Sequence, residues 1–138
     1  KRQMFDFTHN SELHNLIASV YERGAIVASI GHGYCGLLNV RLSDGSYLVN
    51  GKILAGPSWM EEKLSLVSRK VPYNAEELAK ERGADYIRWK RPYRGSAAAT
   101  NGLVTGHNNS SSGNLVASSV CDELDRLDSL KAKGSEPL

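Results

Sequence analysis

The chain has 138 residues, a net charge of +2 and a hydrophobic fraction of 41%, which predict one domain or a large part of one. No apolar run approaches the roughly 18 residues of a membrane span, so no membrane contact is expected. The basic residues around Pro92 lack an aromatic recognition motif, which favours a solvated face over nucleic-acid binding. Two cysteines, Cys35 and Cys121, make no disulfide framework and predict reduced thiols in a cytoplasmic protein.

In chain order, the first predicted element is a helix over 11–23, with Asn10 as its N-cap and Gly24 as its stop. Its apolar face comprises Leu13, Leu16, Ile17, Val20 and Tyr21. A strand over 25–30 follows. Turn signals at Asp44-Gly45 and Asn50-Gly51 flank a short strand over 47–49 and predict a hairpin, and 52–55 is the next predicted strand.

The second half of the chain continues the alternation. Asn74 caps a predicted helix over 75–82 that ends at Gly83, and a strand is predicted over 85–89. A turn at Asn101-Gly102 predicts a hairpin over 97–105, followed by a polar loop over 106–112. A long amphipathic helix is then predicted from Asn114, because apolar residues recur at helical spacing. These residues are Val116, Val120, Leu124, Leu127 and Leu130.

The segment from Ala28 to Cys35 carries the signature of a nucleophile elbow. A strand-like run ends abruptly at Gly31-His32-Gly33 and passes into an apolar segment that is compatible with a helix. Such an elbow normally carries Ser or Cys at its tip, whereas this chain has Gly31. The pattern therefore predicts the architecture of a catalytic site without its nucleophile.

These residues resemble the ThiJ/PfpI family of the class I glutamine-amidotransferase-like superfamily, in its glutathione-independent glyoxalase and chaperone branch. That family typically reads Ala-Val-Cys-His-Gly-Pro-Ala at the elbow. The resemblance continues through 42–52, Glu61-Glu62, Val71-Pro72-Tyr73 and 101–108. It covers nearly the whole chain but only the C-terminal part of the family's fold.

The resemblance implies an α/β, flavodoxin-like three-layer sandwich with a mainly parallel sheet, whose N-terminal β-α units are missing from this chain. Residues 1–133 would form the C-terminal part of one domain, and 134–138 a flexible tail. The expected partner is a separate or preceding N-terminal segment, and family members also form dimers, so a homodimer or heterodimer is expected. Chaperone and stress-response roles occur in the same branch.

Carried over by position, Gly31 stands at the family nucleophile, His32 at its base or orienting group and Glu62 at its acid. His32 and Glu62 have a plainer interpretation, as a retained hydrogen-bonded pair in which the carboxylate complements a helix dipole. Gly33 and Tyr34, the latter replacing the usual proline, are predicted to contact substrate. The remaining histidines lack metal-ligand spacing, so neither a metal nor a cofactor is expected.

The two cysteines receive different predictions. Cys35 lies where the dipole of a following helix would lower its thiol pKa, which makes it a candidate substitute nucleophile. The alternative for Cys35 is a small buried thiol. Cys121 is predicted to pack in the terminal helix.

Three functions remain open. The first is a relative of the glyoxalases that convert a 2-oxoaldehyde to a 2-hydroxy acid, with cysteine chemistry lost or altered at Gly31 and a small carbonyl compound as substrate. The second is a non-catalytic subunit for binding, assembly or chaperone-like holding. The third is a non-covalent acid-base enzyme that uses His32 and Glu62 on another small molecule.

Overall fold

The computed structural model describes residues 2–87, 95–107 and 110–134. The helices are α1 (Gln3–Asp6), α2 (Ser11–Glu22), α3 (Trp59–Leu64), α4 (Ala75–Glu81) and α5 (Ser110–Gly134). The strands are β1 (Val27–Ile30), β2 (Ile53–Leu54), β3 (Asp85–Tyr86), β4 (Ala97–Thr100) and β5 (Leu103–Gly106). Two 3₁₀ helices cover Gly31–Gly36 and Val67–Arg69.

The described strands form two small sheets, and most of their pairings are parallel. One sheet has the order β1-β5-β4, with β1 parallel and β4 antiparallel to β5. The other is the parallel pair β2-β3. Two threonine hydroxyls join the sheets: Thr100 Oγ1 accepts from Ile53 N–H at 3.2 Å, and Thr105 Oγ1 accepts from Ala55 N–H at 2.7 Å. The predicted mixed α/β class with a mainly parallel sheet is confirmed.

The register of β1 against β5 positions the site. Ile30 pairs with Gly106, so the carboxyl ends of these parallel strands lie at one edge of the sheet. A side chain at Gly106 would collide with Val116 of α5, which packs against this sheet. The buried core lies on the segment after β1 and on β2, α4 and β5. Its large members include Tyr34, Leu38, Val40, Leu48, Val49, Leu54 and Leu103.

Helix α2 begins at the predicted Ser11 and ends at Glu22, one residue before the predicted end. Asn10 Oδ1 accepts from Leu13 N–H at 2.9 Å, and Gly24 adopts φ +84° beyond the last turn. Ile17 and Tyr21 pack against the core. Leu16 does not belong to the packed face, because it is 59% exposed.

The hairpin predicted around residues 47–49 is reduced to an isolated antiparallel bridge between Arg41 and Tyr47. Leu48 and Val49 are fully buried, so the chain turns into the core instead of extending along a sheet edge.

The hairpin predicted at Asn101-Gly102 is confirmed, since β4 and β5 pair directly across this turn. Both turn residues have positive φ, +46° and +82°, as a tight two-residue hairpin turn requires.

Helix α5 begins at Ser110, so the polar loop predicted over 106–112 is wrong for residues 110–112. Its packed face contains Ser112, Val116 and Glu123, whereas Leu124 and Leu130 are 49% and 54% exposed. Glu123 occupies a buried position because Arg126 pairs with its carboxylate and Gly102 N–H donates to it. The resulting rotation of the helix exposes Cys121, and the prediction that this cysteine packs is wrong.

Several predictions fall on residues 88–94, 108–109 and 135–138, which lie outside the described residues. They are the end of the strand predicted over 85–89, the basic face around Pro92 and the tail beyond Gly134. Within the described ranges, no helix is both long and apolar enough to cross a membrane.

Two glycine substitutions should change stability in opposite directions. Gly102→Ala should lower the free energy of unfolding by about 1–2 kcal/mol, because alanine is strained at positive φ. Gly113→Ala should raise it by about 0.5–1 kcal/mol, because this glycine lies in helix α5 with open space around it. Urea unfolding of both variants measures the difference, and equal effects would contradict the predicted turn and helix.

Candidate active site

Gly31 lies at the tip of a sharp turn between β1 and the 3₁₀ helix Gly31–Gly36. Its φ is +59°, in the left-handed region that glycine adopts without strain. The backbone therefore has the elbow geometry that the sequence predicts, but the following segment is a 3₁₀ helix rather than an α-helix. Because Gly31 has no side chain, the tip presents neither sulfur nor oxygen.

His32, the next residue, is paired with Glu62. His32 Nε2 lies 2.5 Å from Glu62 Oε1, and both side chains are buried. Since a carboxylate oxygen accepts, the imidazole donates from Nε2–H, and Nδ1 is the ring nitrogen that does not bond Glu62. The structure thus brings together His32 and Glu62 directly behind the elbow.

The amino end of α3 is strongly held, which fixes the position of Glu62. Ser58 and Glu61 form a capping box, with Ser58 N–H and Oγ–H both donating to Glu61 Oε2 at 2.8 and 2.9 Å. Glu76 of α4 accepts from Trp59 N–H at 2.9 Å. These contacts satisfy amide donors that a helix start leaves unpaired.

A second imidazole–carboxylate pair lies beside the first. His107, one residue after β5, places Nε2 at 3.0 and 2.9 Å from the two carboxylate oxygens of Glu61. Both side chains are buried. This pair was not predicted from the sequence, in which His107 shows no metal-ligand spacing. The available signal was the adjacent Glu61-Glu62, combined with two histidines that follow neighbouring strands.

Cys35 is fully buried beneath the elbow. Burial raises the pKa of its thiol to about 12, and the nearby Glu62 carboxylate also raises it, although a hydrogen bond with Tyr73 opposes the shift. The prediction that a helix dipole lowers this pKa is therefore wrong. Cys35 is the fifth residue of its 3₁₀ helix, beyond the first turn over which such a dipole acts.

Tyr34 and Gly33, the predicted substrate contacts, differ in their surroundings. Tyr34 is 1% exposed and packs on Tyr86, with ring centroids 5.7 Å apart. Burial holds the pKa of its phenol well above the usual range. Gly33 has room for a Cβ atom 3.5 Å from that of Ser29. Tyr34 thus presents almost no surface to solvent, and a substrate role for either residue stays a prediction.

The described residues contain no group of three or more histidine, cysteine or carboxylate side chains placed to hold a metal ion. A cavity of about 290 Å³ lies at the opposite edge of the sheet, where Ala25 and the Asn101-Gly102 turn line it together with Tyr21 and Arg126. This cavity adjoins the amino ends of β1 and β5 and is separate from the elbow.

The chain is similar in sequence to curated proteins named as glutathione-independent glyoxalases. No protein-family profile matches the chain. The chain is 34% identical over 112 residues to the probable glutathione-independent glyoxalase hsp3103 of Schizosaccharomyces pombe, covering 76% of the chain and 43% of that protein. It is 27% identical over 124 residues to the glutathione-independent glyoxalase HSP31 of Saccharomyces cerevisiae, covering 85% and 52%. The chain spans about half the length of the curated relatives it matches.

Solved structures show the same fold. Rapid Encystment Protein 24 kDa of Francisella tularensis superposes with a TM-score of 0.81 at 24% identity, over 88% of this chain and 53% of that one. Glyoxalase III of Candida albicans superposes with a TM-score of 0.77 at 22% identity, over 88% and 52%. The fold is therefore of the ThiJ/PfpI type. The curated relatives confirm the resemblance to the glutathione-independent glyoxalase branch of that family, and their partial coverage fits a C-terminal part.

The two thiols should react at very different rates. At pH 8 a pKa of about 12 leaves about one Cys35 thiol in ten thousand ionised, and burial blocks access as well. Iodoacetamide followed by peptide mass spectrometry should modify the exposed Cys121 rapidly and Cys35 only as the pH rises or the protein unfolds. A Cys121→Ser variant should lose the fast phase and Cys35→Ala should keep it. Fast modification of Cys35 in folded protein would contradict its placement.

Proposed function

We propose that this chain forms the elbow part of a glyoxalase-like site that binds a small 2-oxo carbonyl compound, and that the cysteine step of such a site is lost at Gly31. The observation that carries the proposal is the buried His32–Glu62 hydrogen bond immediately after the elbow. The names of the curated relatives support the substrate class. A cytoplasmic location and a stress-related role, which the resemblance implies, belong to the same proposal.

The chemistry follows from which atoms are present. A cysteine at the tip would add its sulfur to the aldehyde carbon and so hold the substrate covalently, but Gly31 forms no such bond. Its neighbour His32, oriented by Glu62, retains the ability to accept a proton from a carbon beside a carbonyl and to return it to the adjacent atom. Acid-base chemistry is therefore retained, while nucleophilic catalysis is not.

Restoring the thiol tests the proposal. In the full protein that carries this chain, Gly31→Cys should raise methylglyoxal turnover by about 10²-fold or more over the parent, the scale of one catalytic group. Gly31→Ala is the matched control, because it introduces the same backbone strain, of order 1–3 kcal/mol, without sulfur. Production of the 2-hydroxy acid is measured by chromatography.

Adding Glu62→Gln to Gly31→Cys should remove most of the gained activity, because the amide no longer holds the imidazole as a carboxylate does. If Gly31→Cys turns over methylglyoxal no faster than Gly31→Ala, the glyoxalase-like assignment is wrong. The same conclusion follows if Glu62→Gln has no effect on the restored enzyme.

An assembly function is favoured by the position of β1. Among the described strands, β1 pairs only with β5 and so forms an edge of its sheet. Ile30 at its end is 45% exposed. An unpaired strand edge is a template for a further strand. We propose that a β-α segment, from the same protein or a separate chain, completes the sheet beside β1.

Ile30→Asp should weaken this assembly, because a charge would enter the new contact. Leu130→Asp is the matched control: Leu130 is also exposed, at 54%, but lies on the terminal helix α5 and not on a strand. Native mass spectrometry measures the bound fraction in each case. Equal assembly in both variants, or a chain that stays alone at micromolar concentration, would contradict the proposed contact.

A further inference from the structure

Three buried polar atoms have no hydrogen-bond partner in the described part of the chain: Ser29 Oγ, Ser96 Oγ and His107 Nδ1. Such atoms are rare in folded proteins, because a buried polar atom without a partner loses its hydration without compensation. Groups of them indicate a place where a ligand or an ordered water completes the hydrogen bonds. Their positions in the sheet therefore matter.

The strand register places all three on one face of the sheet. Ser29 of β1 pairs with Thr105 of β5, and His107 lies two residues beyond Thr105 in the chain. His107 N–H donates to Ser96 O at 3.0 Å, which continues the β4-β5 pairing by one residue. Paired residues project to the same face, as do residues two apart in a strand. Ser96 and His107 are therefore cross-strand neighbours.

This face is the one that carries the candidate active site. Thr105 Oγ1 on it accepts from Ala55 N–H, and the chain from Ala55 leads directly into α3 with its two glutamates. The opposite face, at Gly106, meets Val116 of α5. The carboxylates that pair with His32 and His107 thus belong to successive residues of helix α3. Both pairs lie at the carboxyl ends of the parallel strands β1 and β5.

The hydrogen-bonding roles of Ser96 and His107 are complementary. Because His107 Nε2 bonds the Glu61 carboxylate, the tautomer that donates from Nε2–H leaves Nδ1 as a hydrogen-bond acceptor. Ser96 Oγ–H donates. A hydroxyl group both donates and accepts, so it satisfies both atoms at once, whereas a carboxylate or phosphate oxygen cannot donate to Nδ1.

We propose that Ser96 and His107 form a buried subsite for the hydroxyl group of a small 2-hydroxy compound, with His107 as its proton acceptor. This proposal rests on the proposed function, because a 2-hydroxy acid is the product that glyoxalase chemistry forms from a 2-oxo aldehyde. It assigns to this chain a second proton-transfer group in addition to His32.

The proton step conserves atoms and charge. The ligand O–H bond breaks, an Nδ1–H bond forms, and the electron pair stays on the ligand oxygen, to which Ser96 Oγ–H donates. The imidazolium formed lies against the Glu61 carboxylate, which offsets its charge. The proton returns when the ligand is released, so the step needs neither oxidant nor reductant.

Lactate and propionate provide a matched pair of probes, because they differ by the hydroxyl group alone. In an NMR titration of the full protein, lactate should bind about tenfold more tightly than propionate and should shift the Nδ1 resonance of His107. Ser96→Ala and His107→Gln should abolish the lactate preference. The glutamine side chain of the second variant keeps an N–H donor for Glu61 but has no basic nitrogen. The control variants Ser118→Ala and His9→Gln, at exposed positions, should keep the preference for lactate over propionate.

The outcomes separate this proposal from the proposed function. Lactate shifts at His107 and a preference lost in both variants support the subsite. Lactate shifts at His32 alone, or a preference that survives both substitutions, would overturn the subsite and leave the proposed function standing. If neither imidazole responds to lactate, both fall. Ser96→Ala removes a hydroxyl without a partner, so circular dichroism should show that this variant folds. If it does not fold, the His107→Gln variant and the ratio of lactate to propionate affinity in the parent protein still test the subsite.

Discussion

The parallel pairing of β1 with β5 is the constraint on which the candidate site depends. The two strands are only four residues long, yet their register brings the residues after Ile30 and after Gly106 to the same edge. Helix α3 then lies across this edge, where Glu62 bonds His32 and Glu61 bonds His107. A shift of the register by one residue would turn the paired side chains to the other face and separate both pairs.

The candidate site combines two imidazole–carboxylate pairs with a tip residue, Gly31, that has no side chain. Two buried carboxylates each hold an imidazole, and breaking a buried pair by removing one partner costs about 3–5 kcal/mol. Each pair therefore holds both of its members at the edge of the sheet and also orients the imidazole ring. This dual role explains how the geometry at His32 and Glu62 persists while Gly31 offers no group that could attack a substrate.

Local signals in the sequence predicted much of the fold. The N-caps at Asn10 and Asn74, the turn at Asn101-Gly102 and the positive φ of Gly31 follow from short-range stereochemistry, which adjacent residues determine. The predictions that are wrong concern features that tertiary packing determines. The rotation of α5 is determined by a buried Glu123 in contact with the β4-β5 turn, and no periodicity of apolar residues indicates that a carboxylate will face the core.

The site shows the same division. The pairing of His32 with Glu62 could be anticipated from the resemblance, whereas the burial that raises the pKa of Cys35 depends on neighbours distant in the chain. His107 lies within the segment 101–108 that carries the resemblance, but no sequence pattern indicated its partner Glu61, which the strand register brings beside it. The empty tip at Gly31 also has a genetic consequence. Some glycine codons become cysteine codons through a single base change, and the backbone is already in the elbow conformation. Where GGT or GGC encodes Gly31, a single base change therefore places a thiol at the tip.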